Sequence, residues 1–316
     1  MKPSSALVIN QFFGVPRVFL PSPIEKMVVV FDNSNDVRNM PAVAFCFPAR
    51  CVRPRAFGCF FLLLLAFGFS RPLQVSGAEA KAELVYLKAN AHFNQAQYAQ
   101  AIEQYNLFLS EFPGHAKKVN VQYGLGISLF QLKKYQEAVK VLAVVAPDEK
   151  CPDVPRVNYF LGQSLLLIGK YAEAEKSLGN GLKALTKVPA ESREKIPFDE
   201  LERRLKITRL EALVHQKKWA EAVKLSDDLK DNALEHGLQI SFYGALAQFE
   251  LKQFDESVAR LMALKPDIKG TAYQQQTHFL LAESFRELEK MAEALVEYEA
   301  AFKTPGPFVG QALYRL

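Results

Sequence analysis

Residues 125–146 read LGISLFQLKKYQEAVKVLAVVA, and this stretch decides the fold. Leu125, Gly126 and Leu129 recur at the three-to-four spacing of one helix face, and Tyr135, Ala138 and Leu142 do the same beyond Lys133-Lys134. The reading is a helix, a short polar turn and a second helix. Each helix places one small residue, Gly126 or Ala138, where the two backbones must come close. A hairpin of this kind leaves an apolar face bare, so it needs neighbours of the same sort.

The neighbours are present. The stem of the second helix returns as Tyr98–Ala101, Tyr135–Ala138, Tyr171–Ala174, Trp219–Ala222, Phe254–Ser257 and Met291–Ala294. The steps between the small residues are 37 (138−101), 36 (174−138), 48 (222−174), 35 (257−222) and 37 (294−257). A self-similar period in the thirties marks a helical repeat array.

Unit by unit, the residues resemble the tetratricopeptide repeat family. Its order of a small residue, an aromatic after the turn, Ala three later, a large residue four later and then Pro is met by Ala89, Tyr98, Ala101, Tyr105 and Pro113. Gly126, Tyr135, Ala138 and Leu142 repeat it, as do Gly162, Tyr171, Ala174 and Leu178. Units four (Leu210, Trp219, Ala222, Leu229) and five (Ala245, Phe254, Ser257, Leu261) are degenerate, and the sixth recovers with Ala282, Met291, Ala294 and Tyr298. The resemblance covers roughly residues 80–316. It implies an all-α, right-handed superhelical solenoid of about six helix-turn-helix units preceded by a signal peptide. Units one to three occupy 79–185, a Pro-, Lys- and Glu-rich loop 186–197, and units four to six 198–305. Residues 306–316 resemble the opening helix of a seventh unit, either cut off or serving as a lone cap. Within the family, the spacings and the export signal resemble exported bacterial members, including those associated with the Tol–Pal envelope system and with outer-membrane assembly.

The charge distribution narrows the partners. The chain carries 39 basic and 34 acidic residues. Residues 1–78 hold eight of the first and three of the second, so the repeat region balances at 39−8 = 31 against 34−3 = 31. A nucleic-acid binder is expected to show a basic stripe, and none is visible. The basic excess lies at Arg50, Arg53 and Arg55, ahead of the apolar run 56–69 and the small-residue stretch ending at Ala78. That is the layout of a secretory signal peptide cut after Ala78, with an uncleaved anchor as the alternative and no other membrane contact. Translation from Met40 would give a leader of 78−39 = 39 residues, leaving 1–39 as an upstream extension. Only Cys151 remains beyond the leader, so it is an incidental loop residue or an intermolecular bridge.

In the family, the first helices line the concave groove. Carried over by position, the groove residues are Tyr86, Asn90 and Phe93; Tyr123, Ile127 and Phe130; Tyr159, Gln163 and Leu166; Phe242 and Phe249; and Phe279, Glu283 and Arg286. The file Tyr86, Tyr123, Tyr159, Phe242, Phe279 would suit an extended peptide or a partner helix if exposed. The alternative is that these rings pack between helices. Tyr86 and Gly124 stand where carboxylate-clamp members carry Lys and Asn, so capture of a C-terminal carboxylate is not supported.

Chemistry finds little footing. His92, His115, His215, His236 and His278 are scattered without zinc spacing, and His92 is expected to pack in the core. Gly124-x-Gly126 and Gly179-x-Gly181 lack the third glycine and the Lys-Ser/Thr of a phosphate cradle. The expectation is a non-catalytic adaptor in the bacterial cell envelope, with no cofactor and no metal, whose partners are other envelope proteins. The alternative is the recruiting module of a larger envelope enzyme or secretion machine with its working domain beyond Leu316. Self-association through the uncapped C-terminal end is a further possibility.

Overall fold

The computed structural model describes residues 77–188, 198–230 and 236–316. The expected extension 1–39, most of the leader and most of the 186–197 loop lie outside them. The described residues form helices and turns, with no strand among them. The chain is an all-α solenoid.

Six hairpins follow one another. They are α1 (Gly77–Asn94) with α2 (Tyr98–Glu111), α3 (Lys118–Gln131) with α4 (Tyr135–Val145), and α5 (Val154–Leu167) with α6 (Tyr171–Thr186). Then come α7 (Phe198–His215) with α8 (Trp219–Leu229), α9 (Gly237–Glu250) with α10 (Phe254–Leu264), and α11 (Gln274–Glu287) with α12 (Met291–Lys303). A short helix, α13 (Val309–Arg315), lies against α12. The expected cut after Ala78 would take two residues from the start of α1.

The turn inside each hairpin has one shape. Ala96, Lys133, Gly169, Lys217, Lys252 and Glu289 all take a left-handed conformation, with φ between 57° and 82°. The chain leaves the first helix there by folding two amides back onto its last turn, as when Lys133 N–H donates to Phe130 O and Lys134 N–H to Leu129 O. Gly169 adopts this conformation without steric cost, whereas the five side-chain-bearing residues do not. Helix α5 starts differently: the Asp153 carboxylate accepts from Arg156 N–H at 2.9 Å, with Pro155 in the first turn.

The small residues sit where the two helices of a hairpin cross. Ala89, Ala101, Ala138, Ala174 and Ala222 are fully buried. A methyl group added at Gly126 would lie 2.6 Å from Leu142 Cγ, and one at Gly162 2.6 Å from Leu178 Cδ2. Each glycine is therefore the socket for the leucine of its own second helix. Gly124 makes a third socket, filled by the Tyr105 ring of the preceding unit. Burying one such leucine is worth about 1.5–3 kcal/mol, and the gain recurs along the stack.

Successive units pack in order, the second helix of each on the first helix of the next. Beyond that, the further contacts of any extent run between successive first helices: α1 with α3, α3 with α5, α5 with α7, α7 with α9 and α9 with α11. The first helices form the crowded layer.

Candidate partner-binding face

Because successive first helices touch, their common face is continuous from α1 to α11. The file of rings runs along it, and every ring is buried: Tyr86, Tyr123, Tyr159, Phe242 and Phe279 are between 1% and 4% exposed. The packing alternative describes their environment. Each ring is roofed by a residue from the start of the following unit. Lys117 Nζ stands 4.7 Å over the Tyr86 ring. The Arg156 guanidinium lies beside the Tyr123 hydroxyl and that of Arg204 beside Tyr159. Tyr273 packs on Phe242 with ring centres 5.4 Å apart, and Phe308 stacks on Phe279 at 4.7 Å. Burial drives the Tyr123 and Tyr159 hydroxyls above their usual pKa, against the opposing pull of the two arginines.

The other expected groove residues divide similarly. Asn90 is buried and accepts the Tyr105 hydroxyl at 2.8 Å. Phe93 meets Tyr98 edge-on, Phe130 meets Phe160, and Ile127 is enclosed. Leu166 and Phe249 are buried as well, whereas Arg286 is half-buried. Gln163 is half-exposed, so of the first three units' groove residues it is the one that offers a polar side chain to solvent. His92, expected in the core, is half-buried at the end of α1 and bonds Gln97 at 2.7 Å.

The feature missed from sequence is a rim of paired charges beside the rings. Lys117 bonds Glu83 at 2.6 Å, Arg156 pairs with Asp153 at 3.2 Å, and Glu200 holds both Arg203 and Arg204. Glu283, 1% exposed, accepts from Tyr298 at 2.5 Å and from Arg286 and Arg315 at 2.8 and 3.1 Å. A signal existed: Arg156 and Arg204 both stand three residues before the position of the ring in their own units. The face thus offers side chains whose charges are largely matched already. That suits recognition by shape and hydrogen bonding more than by net charge.

Among the described residues, no group of three or more His, Cys, Asp or Glu is placed to hold a metal ion. Cys151 is free and half-buried, and burial pushes its thiol up to about 11, away from the thiolate that reacts. Among the described residues, no helix is long and apolar enough to cross a membrane.

A tetratricopeptide repeat family model matches residues 86–155, from the middle of α1 through the second unit and into the start of the third. That repeat is in general a scaffold for protein–protein contacts and typically non-catalytic. No curated protein matches the chain. Among solved structures, MamA of AMB-1 in its P212121 form is 20% identical, with a TM-score of 0.47 over 63% of this chain and 98% of that one. A thermophilic tetratricopeptide protein of Thermus thermophilus is 16% identical, with a TM-score of 0.38 over 62% and 96%. One from Parabacteroides merdae is 11% identical, with a TM-score of 0.36 over 75% and 98%.

Proposed function

We propose that this protein is an exported, non-catalytic adaptor of the bacterial cell envelope that holds a peptide segment or a domain of another envelope protein against its first-helix face. The observation that carries the binding role is the unbroken contact of α1, α3, α5, α7, α9 and α11, which sets one long surface along the stack. The buried rings give that surface its stiffness. Its contact atoms come from Gln163, from the charge-paired rim and from the half-exposed Glu211 and Tyr273. Export rests on the sequence: Arg50, Arg53 and Arg55, the apolar run 56–69 and the small residues up to Ala78. The kinship with Tol–Pal-associated or outer-membrane-assembly members belongs to the same proposal and rests on repeat spacing plus the leader.

Affinity capture with residues 79–316 from envelope extract, followed by mass spectrometry, tests the reading. An envelope protein whose capture falls when Gln163 and Glu211 are both replaced by Ala supports it. Capture that ignores both changes overturns the assignment of this face. Protein recovered from the cytoplasm with residues 56–69 still attached overturns export.

A further inference from the structure

We infer that the solenoid consists of two cooperative blocks that meet inside α7, and that they unfold and flex separately about that helix. Two apolar cores are present. One runs from Ala82 to Ala212 and draws Leu201, Leu205 and Ala212 from α7. The other runs from Ile207 to Ala312 and draws Ile207, Leu210, Leu213 and Val214 from the same helix. Among the described helices, α7 alone contributes to both.

Two departures from the repeat pattern account for the break. Four residues after the small residue of each second helix stands a large buried side chain: Tyr105, Leu142, Leu178, Leu261 and Tyr298. In the fourth unit that place is taken by Ser226, which is fully buried and bonded to Arg260 at 2.8 Å. The filler that would lock α8 against its own first helix α7 is missing. The second departure follows the small residue directly, where five units carry Ile102, Val139, Val223, Val258 and Leu295 but the third carries Glu175.

Glu175 makes the seam between α6 and the fourth unit partly polar. Its carboxylate receives Lys218 at 2.6 Å, Gln216 at 3.0 Å and Arg209 at 3.5 Å, while His215 stacks on Tyr171 with ring centres 4.3 Å apart. Groups of this kind recover hydrogen bonds from water when a seam opens, whereas apolar contacts do not. In a repeat array, cooperativity is carried by nearest-neighbour interfaces, so the place where the apolar filling passes from one core to the other and the seam turns partly polar is where it divides. The candidate face then has a joint: Tyr86, Tyr123 and Tyr159 move with one block, and Phe242 and Phe279 with the other.

Trp219 is the only tryptophan and packs against the second core, so its emission reports one block while far-ultraviolet circular dichroism reports both. In urea, Leu142→Ala should bring the first-block phase of the dichroism down by roughly 1 M and leave the Trp219 midpoint in place. Leu261→Ala should move the Trp219 midpoint. A Trp219 midpoint that follows Leu142→Ala downward overturns the proposal. Native-state hydrogen exchange of the unsubstituted chain decides the same question without a variant. Two levels of protection that change within α7 are expected, and one common level from α1 to α12 overturns the division.

Discussion

Gly126 and Leu142 share one volume: the leucine side chain fills the space a Cβ at position 126 would need, and Leu142 is fully buried. The contact ties the two helices of the second unit at their closest approach. Gly126→Ala should therefore destabilise the chain by about 1–2 kcal/mol, because overpacking costs about 1–3 kcal/mol and the better helix propensity of Ala returns up to about 1 kcal/mol. Urea titration of the first block checks it, and a stabilised variant would show that Leu142 has room to turn aside.

Tyr123 is 1% exposed, with its ring inside the stack. Tyr123→Ala should cost about 3–5 kcal/mol, the range for emptying a buried aromatic site. Thermal melting by circular dichroism is the measurement. An unchanged melting point would place the ring in the groove after all.

Glu297 is 4% exposed and bonded to His278 at 2.7 Å and to Lys265. Burial alone would raise its pKa, but the hydrogen bonds and charges of His278 and Lys265 outweigh burial and hold it below the usual carboxylate range. A depressed carboxylate stabilises the fold above its ordinary value, and that contribution is lost as pH falls through the folded pKa. Below about pH 4.5 the unsubstituted chain should lose stability more steeply than Glu297→Gln. Acid melts with the same slope for the two proteins would expose the claim as wrong.

Glu250 has the opposite sign. Burial pushes it up to about 7, with Lys217 pulling the other way, and one carboxylate oxygen is enclosed without a hydrogen-bond partner. Its contribution is present below the ordinary carboxylate value and is lost as pH rises through the folded pKa. Between about pH 4.5 and pH 7 the chain should weaken and then level off, and Glu250→Gln should flatten the slope. Urea midpoints across that range decide it.

Much of this was legible in the residues. The Tyr135–Ala138 stem and its five relatives located every hairpin among the described residues, because a 3.6-residue period with small residues at the crossings is a local property of the chain. The groove was read less well. Position along a helix places Tyr86, Tyr123 and Tyr159 on the first-helix face, but whether a ring there meets water depends on the following unit. Lys117, Arg156 and Arg204 lie 31 (117−86), 33 (156−123) and 45 (204−159) residues away from the rings they cover.

By itself, the sequence determined the kind of object: antiparallel helix pairs, about six of them, with alanine and glycine at the crossings, since these follow from spacing and side-chain volume within one hairpin. Only the tertiary structure decided which faces are closed and where one core gives way to the other. Roofing residues, the Lys265–Glu297 contact and the meeting of two cores inside α7 all join side chains from different units. Their free energy comes from stacking between units, which no single repeat encodes.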